Sequence, residues 1–142
     1  DTEVTVDQRL RHERFLACIS SNHEISKMII RKTARLAGYY NSKWYVLYVQ
    51  TPREDGNRIK LSVQRHLINN FKVATELGAE VIQVKDGNVP SAIARVAEER
   101  HITTVCIGKP HLRLWQVILK TNVFNQLLNR LSKSDIDLII LS

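Results

Sequence analysis

The residues with most chemical capacity fall in three short stretches. Ser20, Ser21 and Asn22 follow one apolar run, Tyr48 and Gln50 close a second, and Gly108, Lys109, His111 and Arg113 follow a third, with Thr121 and Asn122 further on. Hydroxyls, amides and cations grouped beside a glycine are the groups that hold an anionic, hydrogen-bonding ligand of nucleotide type. Gly108 permits close backbone approach, Lys109 and Arg113 add charge, and Thr121 and Asn122 add a hydroxyl and an amide. A plainer reading stands beside it, in which Gly108 and Pro110 only turn the chain and the bases are solvated. Ser20 or Ser21 with His23 or His111 could suggest a nucleophile and its base. No nucleophile-elbow signature or orienting carboxylate accompanies them, and helix capping is the simpler role. The histidines at 12, 23, 66, 101 and 111 show no paired ligand spacing, which speaks against zinc. A Walker loop, a dinucleotide glycine fingerprint and a kinase signature are all absent from the sequence.

Five apolar runs can deliver these residues to one place. Phe15 to Ile19 is continuous, as a parallel strand covered on both faces requires. Lys43 to Val49 is rich in aromatic and β-branched residues, Val81 to Val84 is short, and Thr103 to Ile107 and Ile136 to Leu141 follow. Between them, apolar residues recur at helical spacing: Ile25, Met28, Ile29, Leu36, Ala37 and Tyr40; then Val63, Leu67, Phe71, Ala74 and Leu77; then Ile93, Val96 and Ala97. A last helix is expected over about Leu112 to Leu131, burying Trp115, Ile118, Leu119, Leu127, Leu128 and Leu131, with a break near Thr121 and Asn122. Gly78 suits a helix end and Pro90 a helix start. Strict β and α alternation implies a mainly parallel sheet with right-handed crossovers. Such sheets bind ligands where strand order reverses, so Ser20 to Asn22, Tyr48 to Gln50 and Gly108 to His111 are expected around one crevice.

The 142 residues, 44% hydrophobic and 25% charged, fit one domain with a single core. Residues 1–14 are nearly all polar and read as a linker or N-terminal arm, leaving 15–142 as the domain. No apolar run approaches the roughly 20 residues of a membrane helix. The first residue is Asp1, without an apolar leader, so a segment of a longer chain is expected. Cys18 and Cys106 each sit inside an apolar run, which suggests core thiols in a reducing, cytoplasmic compartment. The net charge of +7 favours phosphate-bearing or acidic partners. Trp44, Tyr45 and Tyr48 belong to a strand that should be buried, which argues against direct nucleic-acid binding.

From Arg14 to Leu141 the chain resembles a universal stress protein domain. Members of that family that bind ATP carry Gly, two residues, Gly, nine residues, then Gly with Ser or Thr after the fourth strand. Gly108 matches the first glycine, His111 stands in place of the second, and Thr121 and Asn122 stand in place of the final pair. Ser20 replaces the first-strand aspartate that helps hold adenosine. More narrowly, Glu13 to Ser21, Ile29 to Leu36, Trp44 to Pro52, Ala74 to Val81 and Trp115 to Leu128 are similar to the stress-protein-like domain of the KdpD family of osmosensitive potassium-channel sensor histidine kinases. Some members bind cyclic di-AMP through a Ser-x-Ser after the first strand and an aromatic-x-x-x-Tyr in the second. Ser20, Ser21, Trp44 and Tyr48 resemble that pattern, with Asn22 in place of the second serine.

The resemblance implies a three-layer, Rossmann-like α/β/α fold around a five-stranded parallel sheet of order 3-2-1-4-5. It further implies a non-catalytic sensory domain, with an adenine nucleotide or cyclic di-AMP as candidate ligand. Its partners would be the other domains of a parent kinase, with a stress-protein partner or a homodimer as further candidates. Membrane contact would come only through the parent chain. The alternatives are a free-standing stress protein binding ATP or AMP, and a docking scaffold using Ile136 to Leu141 at a sheet edge.

Overall fold

The computed structural model describes residues 13–54, 59–109 and 122–142. Five strands run in parallel: β1 (Phe15–Ile19), β2 (Trp44–Gln50), β3 (Glu80–Lys85), β4 (Thr104–Gly108) and β5 (Asp137–Leu141). Their spatial order is β3-β2-β1-β4-β5, as the family resemblance implies. Among the described residues four helices alternate with them: α1 (His23–Tyr40), α2 (Leu61–Glu76), α3 (Val89–Glu99) and α4 (Asn122–Lys133). The expected start of the last helix, with Trp115, Ile118 and Leu119, lies outside the described residues. So do residues 1–12 of the expected arm at 1–14.

β1, β2 and β4 are apolar apart from Gln50 and Thr104 at their ends, because helices cover both sides of the sheet. Strand alternation splits their side chains cleanly. Phe15, Ala17, Ile19, Trp44, Val46, Tyr48 and Cys106 face α1 and α2, while Leu16, Cys18, Tyr45, Leu47, Val49, Val105 and Ile107 face α3 and α4. Both cysteines are free and buried. Burial pushes the Cys106 thiol up to about 11 and that of Cys18 further, so both stay neutral at physiological pH.

The helix ends follow local chemistry. Asn41, in the left-handed region at φ 50°, closes α1, and Ser42 N–H donates to Ala37 O at 2.9 Å. Gly78 at φ 98° closes α2 as expected. Asn88 caps α3 by accepting from Ser91 N–H at 3.1 Å, and Pro90 lies in the first turn. At the opposite edge of the sheet from the strand ends, Glu13 and Arg14 are tied to the α3–β4 loop. Thr103 Oγ1 donates to Glu13 Oε2 at 2.6 Å, and Arg14 O accepts from the Thr104 N–H at 3.1 Å.

Several expectations need correction. Gln50 belongs to β2 and Gly108 to β4, because each still pairs with a neighbour, Lys85 and Leu141 respectively. A short 3₁₀ turn, Pro52–Glu54, follows β2. Leu77 and Leu128 are exposed rather than buried. The helices bury polar residues instead: Ser26 and Thr33 on α1, and Asn70 on α2.

Candidate functional site

Strand register brings the expected ends together. Ile19 pairs with Tyr48, and Ala17 pairs with Cys106, two residues before Gly108. Ser20, Gln50 and Lys109 therefore stand at one end of the sheet. Strand order reverses between β1 and β4, since α1 crosses one face of the sheet and α4 the other. This end is thus a switch-point crevice.

The β1 side is closed by its own hydrogen bonds. Ser26, fully buried, donates through Oγ to Ser20 O at 2.9 Å and accepts the Ser20 N–H at 3.0 Å. Ser20 Oγ accepts from Asn22 N–H at 3.2 Å, and Asn22 Oδ1 caps α1 by accepting from Ile25 N–H at 3.2 Å. Of the three expected capping residues Asn22 performs the role, and part of the anion-binding capacity of this helix start is already used.

At the β2 end, Tyr48 packs on Phe71 with ring centroids 5.9 Å apart and donates its hydroxyl to Glu54 Oε2 at 3.2 Å. Burial, followed by the charge of Glu54, raises the Tyr48 phenol well above its ordinary range. Gln50 Nε2 donates to Glu54 O at 3.3 Å, so strand end and 3₁₀ turn hold each other. Glu54 was missed in the sequence; the only signal was Pro52, which tightens the turn just after the strand. Trp44 pairs with Phe15 at the other end of β2, about 13 Å from Tyr48 at about 3.3 Å per residue. It is core.

At the β4 end, Gly108 has a second reason to be glycine. A Cβ there would sit 3.0 Å from both Ile25 Cγ2 and Ile29 Cδ1, so the residue lets α1 lie close on β4. Lys109 follows and is exposed. Asn122 begins α4. His111, Arg113 and Thr121 lie outside the described residues, as does the side chain of Asn122.

The structure also joins two histidines that sequence spacing kept apart: the rings of His23 and His66 stack at 4.2 Å. Among the described residues, no group of three His, Cys, Asp or Glu stands close enough to hold a metal ion. No helix among them is long and apolar enough to cross a membrane.

Known proteins supply the context. No protein-family profile matches the chain. It is 41% identical to the sensor protein KdpD of Clostridium acetobutylicum over 101 residues, which is 71% of this chain and 11% of that protein. It is 32% identical to the sensor protein KdpD of Escherichia coli over 111 residues, 77% of this chain and 12% of the relative. Among solved structures, a universal stress protein in complex with cAMP superposes with a TM-score of 0.61 at 16% identity, covering 92% of this chain and 97% of that one. The chain is a universal stress protein-like domain of KdpD type. This KdpD-type domain spans about a tenth of the curated relatives it matches.

Proposed function

We propose that the chain is the cytoplasmic sensory domain of a KdpD-type two-component sensor histidine kinase that controls potassium uptake and the osmotic response, and that the domain itself is non-catalytic. The match to two KdpD sensor proteins over most of the chain is the observation that carries this reading. Residues 15–142 form the sensory unit, and 1–14 serve as a linker or N-terminal arm. The crevice receives an adenine nucleotide or cyclic di-AMP, between Ser20, Ser21 and Asn22 on one side, Tyr48 and Gln50 behind, and Gly108 and Lys109 on the other. His111, Arg113, Thr121 and Asn122 would complete it. A ligand with different affinity for two arrangements of the domain shifts the balance between them, and the parent kinase responds to that balance.

A thermal-shift series with ATP, AMP and cyclic di-AMP tests the ligand. A ligand at 100 times its Kd stabilises the fold by about 2.7 kcal/mol, a shift of several degrees. No shift with any of the three at millimolar concentration would remove the nucleotide reading and leave docking to other domains as the route of regulation. Steady ATP hydrolysis by the purified chain would overturn the non-catalytic assignment. A free-standing nucleotide-binding stress protein is the second reading, favoured by the cAMP-bound structural neighbour. A full reading frame lacking a histidine-kinase core would select it.

A further inference from the structure

α1 and α2 lie side by side over one face of the sheet, with Ile29, Ile30, Leu67 and Ala74 turned inward. Their outer sides are periodic too. On α1, Lys27, Arg31, Arg35 and Tyr39 recur every fourth residue and form one line along the helix. On α2, Leu61, Arg65, Ile68 and Lys72 keep the i, i+4, i+7, i+11 spacing of a single stripe, aliphatic and cationic by turns. Leu61 is 62% exposed, Ile68 64% and Tyr39 85%. A lone exposed aliphatic side chain is ordinary, whereas two on one stripe, each followed by a cation, form a pattern.

The charge on this face has one sign. The two helices carry six Lys and Arg, four on α1 and two on α2, against one acid each, Glu24 and Glu76. Lys32 donates to Ser142 O at the end of β5. Among the described residues, Arg31, Arg35, Arg65 and Lys72 form no ion pair, whereas on α3 and α4 Arg95 pairs with Asp86 and Arg130 with Glu98. The occupant that complements such a face is anionic.

A second copy of the chain would bring the same charge and be repelled. A protein partner would be expected to seat an aromatic or aliphatic cluster in a fitted pocket, but Leu61 and Ile68 stand two turns, about 10 Å, apart with Arg65 between them. A lipid surface needs no matching shape. It takes single aliphatic side chains at the boundary of headgroups and acyl chains, while Lys and Arg meet the phosphates and tyrosine rings settle at the same level. We propose that the outer face of α1 and α2 docks on a bilayer surface rich in anionic phospholipid, with Leu61 and Ile68 dipping below the headgroups. The chain then lies on the membrane through this face, whatever contact a parent chain adds.

Co-sedimentation of the 142-residue chain with vesicles tests the docking, using phosphatidylcholine alone and a mixture with about one third phosphatidylglycerol. The mixed vesicles should bind the chain at about 0.1 M salt and release it at about 1 M, and the neutral ones should leave it in solution. Arg31→Gln with Lys72→Gln removes two cations from the face, and Arg95→Gln with Lys133→Gln removes two from α3 and α4 for the same net charge. All four side chains are exposed, so both proteins should fold. The first pair should weaken binding about 25-fold, at about fivefold per cation, and the second less than about threefold. Ile68→Ser should weaken it by about three- to tenfold. Failure to bind the mixed vesicles, or equal losses in the two charge pairs, would overturn the proposal. So would undiminished binding by Ile68→Ser, which would mark the face as purely ionic and point to an acidic protein or a nucleic acid. The test needs no nucleotide, so its outcome is separate from that of the crevice reading.

Discussion

Towards α3 and α4 the sheet offers Leu16, Leu47, Val105 and Ile107 to Ile93, Val96, Leu127 and Leu131, and all of these side chains are buried. Towards α1 and α2 it offers Ala17, Val46, Tyr48 and Cys106, and there the helices also bury Ser26, Thr33 and Asn70. The two faces differ in how their polar groups are met. On the outside of the first, ion pairs hold the rim: Arg130 Nε donates to Glu98 Oε1 at 3.1 Å, and Arg100 pairs with Glu80 at 2.8 Å. The hydrogen bond from Arg130 holds the Glu98 carboxyl below its usual range. On the second face, His23 Nδ1, Thr33 Oγ1 and Asn70 Oδ1 are buried without partners among the described residues. Exposed ion pairs contribute little each, whereas a buried orphan costs about 1–3 kcal/mol. The α3–α4 face is thus built for stability, and the α1–α2 face, which carries the start of α1 and the wall of the crevice, gives some of it up.

The largest expected effect comes from Ile93→Ala on the dry face. Removing this buried side chain should cost about 2–5 kcal/mol in denaturant unfolding, since α3 and the sheet cannot close over the cavity. Ile30→Ala, equally buried on the polar face, should fall at the low end of that range, because polar neighbours allow the site to relax or admit water. If Ile30→Ala costs as much as Ile93→Ala, the two faces are equally rigid and the contrast fails.

A smaller effect is expected where α1 meets β4. Gly108→Val should cost about 1–3 kcal/mol by overpacking against Ile25 and Ile29. Adding Ile29→Val removes the Cδ1 that the new side chain meets, so the double variant should recover part of the loss. Strict additivity in that cycle would show that α1 is not seated on Gly108.

How far the sequence could be read follows the same division. The strands were legible because continuous apolar runs such as Phe15–Ile19 have one natural reading in a sheet covered on both sides. On α3, Ile93, Val96 and Ala97 were expected in the core and are there. The strand order itself came from family resemblance, since parallel runs do not encode their neighbours. On α1 and α2, periodicity assigns polar residues outward, so Ser26, Thr33 and Asn70 were invisible as core. The approach of His23 to His66 and of Glu54 to Tyr48 depends on helix and turn placement that no spacing rule supplies. The crevice was legible in outline at Ser20, Tyr48 and Gly108, while the groups that fill or seal it were not.

Ser26 and Thr33 make the finest test, being two fully buried hydroxyls on the same helix. Ser26 meets both polar groups of Ser20, at 3.0 and 2.9 Å. Thr33 Oγ1 has beside it the Cys106 sulfur, a weak acceptor, and no hydrogen-bond partner of ordinary geometry among the described residues. Ser26→Ala should therefore destabilise by about 1–3 kcal/mol, because it orphans the Ser20 N–H and carbonyl at the crevice wall. Thr33→Val keeps the shape and removes an unmet hydroxyl, so it should raise stability by about 1 kcal/mol, read as a higher Tm. Loss of stability in Thr33→Val would mean that its hydroxyl is satisfied after all. In that case the polar groups of this face serve packing, and the contrast between a face built for stability and one that gives some of it up fails.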